Sequence, residues 1–140
     1  MKKFFIVFLV LILIFFCFTA CNKPSSIEFV SVRQVTVAGI DYEYYTYSFY
    51  YSQNMIENYY EVLVEYGNTS YFIQQAYIYF QLAYNINNTS IKVPNSTALF
   101  VVQIPLIITE VTVTLCRCNT SSTNDDFEIL EQVYIQTFAV

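Results

Sequence analysis

The sequence predicts an all-β domain, an antiparallel sandwich of about seven strands that follows a hydrophobic N-terminal segment. Three observations carry this expectation. Residues 27–138 are dense in Tyr, Val, Ile, Phe and Thr, the residue types that fill a pleated, half-buried surface. Apolar and polar residues alternate with period two over several stretches, and no helical period persists. Turn-forming residues interrupt the pattern at short intervals.

The first strand is expected over 27–37, with Ile27, Phe29, Val35 and Val37 on one face. Arg33 falls on the same parity, so a bulge or break is expected near Arg33 and Gln34. A turn at 38–41 leads to a second strand over 42–51, with Tyr45, Tyr47, Phe49 and Tyr51 together on one face. The third, 59–66, points Val62, Val64 and Tyr66 one way and Glu61 and Glu65 the other. A helix over 55–66 is the alternative there, since Glu57, Glu61 and Glu65 recur every fourth residue. Three stacked like charges repel on a helix, which favours the strand.

Gly67-Asn68 suits a tight hairpin and opens a long fourth strand over 70–84. Its expected core face is Phe72, Ala76, Ile78, Phe80 and Leu82, with Tyr71, Tyr77 and Tyr79 outside. Residues 85–97 read as loop with a short strand at 91–93. The fifth strand, 98–104, is apolar on both faces and is expected to be central. The sixth, 107–118, turns Val111, Val113 and Leu115 inward and Glu110, Thr112 and Thr114 outward. After a polar loop at 119–126, the seventh, 127–138, is expected to bury Phe127, Ile129, Val133 and Ile135. In number and length these strands fit an immunoglobulin-like sandwich, although the paired cysteines and core tryptophan of antibody domains are missing. A small meander barrel is the alternative.

The N-terminus has a different character. Lys2 and Lys3 precede an unbroken apolar run, Phe4 to Phe18, and then Thr19-Ala20-Cys21. A charged start, an apolar middle and small residues at a cut site make a secretory signal. Phe18-Thr19-Ala20-Cys21 resembles the lipobox of bacterial lipoproteins, with Phe where Leu is usual. The resemblance covers about the first 22 residues. It implies cleavage before Cys21, acylation of that thiol, and stable anchoring by two or three acyl chains. It thereby implies residence in the cell envelope, periplasmic or surface-exposed. A plain secreted protein or an uncleaved anchor is the alternative. The expected organisation is a signal at 1–20, a polar tether at 21–26 and one β domain at 27–140.

Beyond residue 20 the chain carries four basic and eleven acidic residues, a net charge of −7. Nucleic-acid binding needs clustered Lys and Arg, and Lys23, Arg33, Lys92 and Arg117 are scattered. There is no His, which excludes imidazole bases, Ser-His-Asp and Cys-His catalysis and His-bound metals. With two glycines, Gly39 and Gly67, no phosphate-cradling loop is available.

Cys116-Arg117-Cys118 places two thiols on one strand face, parity turning them outward with Thr112 and Thr114. They read as a disulfide or thiol pair, or as a redox or Cu(I)-type soft-metal site. Asp125, Asp126 and Glu128 read as a solvated acidic loop rather than a calcium cage, and Glu61 and Glu65 as an outward polar face rather than a glycosidase pair. The N-x-Ser/Thr patterns at Asn68, Asn87, Asn88, Asn95 and Asn119 are incidental in a bacterial lipoprotein.

Thirteen of the fourteen tyrosines fall between Tyr42 and Tyr84. Tyr42, Tyr44, Tyr71, Tyr77 and Tyr79 are expected on outer faces, where rings with polar tips suit protein or glycan recognition. Cross-strand sheet filling is the plainer explanation of the same rings. The functional expectation is a lipid-anchored, non-catalytic binding or structural module without a cofactor, its membrane contact made through the anchor. The alternatives are a thiol redox or soft-metal protein using Cys116 and Cys118, and an assembly subunit that pairs by an exposed edge strand.

Overall fold

A computed structural model describes residues 26–140; the signal, Cys21 and most of the tether lie outside the described residues. The described chain is all-β, two four-stranded antiparallel sheets packed face to face, with a two-stranded hairpin beside them. There are ten strands among the described residues rather than seven: the expected strand over 70–84 is three separate pieces, and the short strand expected at 91–93 forms at Ser90–Lys92.

Strands β1 (Ile27–Val37) and β2 (Ile40–Tyr51) form a hairpin, and a single helical turn, α1 (Gln53–Ile56), follows. Strands β3 (Tyr59–Tyr66) and β4 (Thr69–Ile73) form a second hairpin. Then come a 3-10 turn (Gln75–Tyr77), β5 (Tyr79–Phe80), β6 (Leu82–Tyr84) and β7 (Ser90–Lys92). The chain ends with β8 (Ser96–Pro105), β9 (Glu110–Cys118) and β10 (Ile129–Ala139). The first sheet has the order β1-β2-β8-β5, and the second β10-β9-β3-β4. No helix among the described residues is long and apolar enough to cross a membrane.

The core lies between the sheets. Tyr45, Tyr47, Phe49 and Tyr51 of β2 point inward beside Ala98, Phe100, Val102 and Ile104 of β8. Opposite them stand Val62 and Val64 of β3 and Val111, Val113 and Leu115 of β9. Tyr47 lies at the junction, its ring 4.6 Å from Phe138 across the gap and 5.7 Å from Phe100 on its own sheet. The Tyr47 hydroxyl is buried without a hydrogen-bond partner among the described residues. Its burial pushes the phenol well above its ordinary value. Tyr51 places its hydroxyl 2.9 Å from the Gln81 carbonyl, which ties the core to the segment entering β6.

Both hairpin turns follow from local stereochemistry. Between Val37 and Ile40, Ala38 and Gly39 both have positive φ, 51° and 78°, as a type I′ turn requires. Between Tyr66 and Thr69, Gly67 alone has positive φ, 54°, the type II′ pattern.

Several expectations are corrected. The bulge in β1 falls between Phe29 and Ser31, not at Arg33. Apart from Ile27 and half-buried Val35, β1 is exposed throughout, because it is an edge strand with no strand beyond it among the described residues. The span 70–84 does not run as one strand; Ile73 and Ile78 are buried and Ala76 and Leu82 are exposed. β8 is central but covered on one face only, Leu99 and Val101 remaining about two-fifths exposed. Two register shifts in β10 move the inward positions from Ile129, Val133 and Ile135 to Tyr134, Gln136 and Phe138, each half-buried.

Ala38 is a non-glycine residue in left-handed backbone, which costs an L-residue roughly 1–2 kcal/mol. Asn tolerates that conformation and leads natural I′ turns. Ala38→Asn is expected to stabilise the fold by up to about 1 kcal/mol, read as a raised urea midpoint at unchanged slope.

Candidate functional site

Two outer sheet faces hold the residues singled out by sequence. On the first sheet, alternation along β2 turns Tyr42, Tyr44, Thr46, Ser48 and Tyr50 away from the core. Tyr42 lies between Val35 and Pro105, and Tyr44 between Arg33 and Gln103. Leu99 of β8 lies between Ser48 and Tyr79. The face therefore runs as a band from Tyr42 and Tyr44 across Val101 and Leu99 to Tyr79. Pro105 and Leu99 are six residues apart on β8, so its two ends are roughly 20 Å apart.

Tyr42 and Tyr44 are half-buried by their strand neighbours. Tyr79 is 65% exposed and Tyr77, on the 3-10 turn before it, 64%. Tyr71 does not join them. It pairs with inward-facing Val64, packs against the core, and meets Tyr66 edge-on at 6.4 Å. Burial pushes its phenol up to about 12. A single parity carried across 70–84 puts Tyr71 outside, but the 3-10 turn at Gln75–Tyr77 breaks that parity. Tyr50 and Tyr84 were missed, although both rings are exposed. Tyr50 was legible in the alternation of β2 itself.

The outer face of the second sheet differs because it is covered. Tyr59, Glu61, Leu63 and Glu65 of β3 stand opposite Cys118, Cys116, Thr114 and Thr112 of β9. The loop 119–128 folds back over part of this surface. Ser122 donates its backbone N–H to Glu61 Oε1 at 3.1 Å and its hydroxyl to Oε2 at 3.4 Å. Phe127 of the loop meets Phe72 of β4 at 5.0 Å between ring centroids. Asn119 closes the loop base, its amide donating to the Asp126 carbonyl and its side-chain oxygen accepting from Glu128 N, both at 2.7 Å.

Glu61 and Thr114, expected outside, are buried at 2% exposure each, Glu61 beneath Ser122. Burial pushes the Glu61 carboxyl above its usual range, while hydrogen bonds from Ser122 and Ser121 pull it back. Cys116 and Cys118 do face outward by parity but are buried, as free thiols. Burial pushes both thiols up to about 11, with Glu65 and Glu61 adding to the effect at Cys116. At Cys118 the neighbours Cys116 and Glu61 add to it and Arg117 opposes it. A reactive thiol needs an electropositive, partly open setting that favours thiolate. This setting favours the neutral thiol. Among the described residues, no group of three or more Cys, Asp or Glu is placed to hold a metal ion. Asp125 and Asp126 are exposed, and the backbone carbonyl of Asp126 is engaged by Asn119.

Set against known proteins, the chain matches no family model, no curated protein and no solved structure.

Because the Glu61 carboxyl is raised above its ordinary value of 4.5, the folded protein binds a proton there more readily than the unfolded chain. The stability that this protonation contributes is present below the unfolded value and is lost as pH rises through the folded one. Wild type is therefore expected to lose stability relative to Glu61→Gln as pH rises from below the ordinary carboxylate value of 4.5, measured as paired urea midpoints at successive pH. Parallel pH profiles for the two proteins would contradict the assignment.

Proposed function

We propose that the chain is a lipid-anchored module of the bacterial cell envelope that binds through the outer face of its first sheet and catalyses no reaction. Cys21, in its lipobox-like setting, carries the anchor. Tyr77 and Tyr79 form the exposed end of the contact surface, and Tyr42 and Tyr44 its other end.

The observation that carries the proposal is the exposure of Tyr77 and Tyr79, each about two-thirds open to solvent, with Tyr79 paired to exposed Leu99. Large rings with polar tips give contact area at low entropy cost. The partner that suits them is a protein or glycan offering apolar surface with hydrogen-bonding groups. Charge on this face is confined to Glu28 and Arg33 on its β1 border, so recognition would rest on stacking and hydrogen bonding more than on ion pairing. The absence of His and the protonated state favoured for both buried thiols support a non-catalytic role.

Replacing both rings, Tyr77→Ser with Tyr79→Ser, is expected to weaken binding to captured envelope proteins or arrayed glycans at least about tenfold while leaving the melting curve intact. Unchanged binding by the double variant would remove the surface from consideration. For the anchor, intact mass of the membrane-extracted protein is expected to show a chain beginning at Cys21 with added acyl mass. An unmodified thiol at Cys21, or a retained leader, would defeat that half of the proposal.

A further inference from the structure

The opposite border of the first sheet carries a different kind of surface. β1 pairs with β2 along its length, and its other side faces no strand among the described residues. Phe29, Val30 and Val32 are 51%, 50% and 47% exposed. A long apolar edge strand is a template for strand pairing unless proline, lysine, an inward charge or a bulge that twists it away blunts it, and of these β1 has only the bulge after Phe29. β1 contains no proline and no lysine. Its two charges, Glu28 and Arg33, have opposite signs, both are exposed, and both lie on the outer face.

The bulge organises these residues. Before it, Ile27 and Phe29 face inward, opposite Phe49 and Tyr47; after it, Val32 and Gln34 face inward, opposite Tyr45 and Glu43. Inward positions thus switch from odd to even numbers at Val30, and the strand becomes two-sided about the point between residues 30 and 31. An antiparallel copy related by a two-fold axis there brings Phe29 opposite Val32 of the other copy. It also brings Glu28 opposite Arg33, twice over. A shift of one residue sets inward positions against outward ones. A shift of two keeps the faces matched and leaves both charges unpaired. One register therefore satisfies facing, apolar contact and charge together.

We propose that β1 is a homodimer interface, in which a second copy of this chain adds its own β1 antiparallel, centred between Val30 and Ser31, to make a continuous eight-stranded sheet. The partner is a second copy because the strand is complementary to itself in charge, Glu28 of each copy facing Arg33 of the other. The two-fold arrangement uses up the edge it pairs, so it closes at two copies.

The test is a charge exchange, read by sedimentation of the membrane-extracted protein in detergent. Wild type is expected to dimerise. Glu28→Arg alone and Arg33→Glu alone are expected to raise the dimer dissociation constant at least about tenfold. The protein carrying both changes is expected to dimerise again, since the exchanged charges still face each other. Cysteines placed singly by Glu28→Cys and Arg33→Cys are expected to cross-link when the two variants are mixed, and neither variant with itself. The cross-link keeps the proposal testable should a charge variant fold poorly. A monomeric wild type, a dimer indifferent to both single exchanges, a double exchange without rescue, or no cross-link in the mixture would each overturn it. Binding is measured separately, with the Tyr77→Ser, Tyr79→Ser protein, which leaves β1 unchanged, so failure of one proposal is distinguishable from failure of the other.

Discussion

The aromatic row on β2 is the constraint from which the rest of the fold follows. Tyr45, Tyr47, Phe49 and Tyr51 occupy alternate positions of one strand and all point into the gap between the sheets. Tyr47 touches Phe29, Tyr45, Phe100 and Phe138, and so binds both sheets at one point. Rings of this size set the spacing between the layers, and the smaller Val and Ala of β3, β8 and β9 fit against them. The same row also decides the outside. Once every second residue of β2 is committed inward, Tyr42, Tyr44 and Tyr50 have no choice but the other face, and the tyrosine-bearing surface is a by-product of the core's own period.

The two sheets treat their outer faces in opposite ways. The first leaves its face open, with Leu99, Val101 and Tyr79 in solvent. The second draws the loop 119–128 across part of its face, where Glu61 is held by Ser122, and Cys116 and Cys118 on the same face are also buried. Burying a carboxylate is unfavourable unless its oxygens are hydrogen-bonded, and Ser122 supplies a bond to each. The loop thus has a polar latch at Glu61 and an apolar one at Phe127 against Phe72. Burial also favours the protonated form of the two thiols on this face.

Much of this was legible from local pattern. The bounds of β1 and β3, the inward row on β2, the inward Val111, Val113 and Leu115 of β9 and the hairpin at Gly67 all follow from alternation and turn chemistry, which act within a few residues. Where the pattern misled, an irregularity had reset the parity: the bulge after Phe29, the 3-10 turn at Gln75–Tyr77, the two register shifts in β10. Tyr71 was misplaced for this reason, and Tyr77 and Tyr79 were placed outside correctly although the strand assigned to them was broken.

By itself the sequence determined the class of fold, an antiparallel β-sandwich, and the inward row of β2, because side-chain alternation is a property of each strand alone. The tertiary structure decided which outward residues stay outside. Glu61 is covered by Ser122, a residue 61 positions later, and β1 is left bare because no strand among the described residues lies beyond it. No periodicity within a strand carries that information, since it depends on what the rest of the chain lays over the sheet.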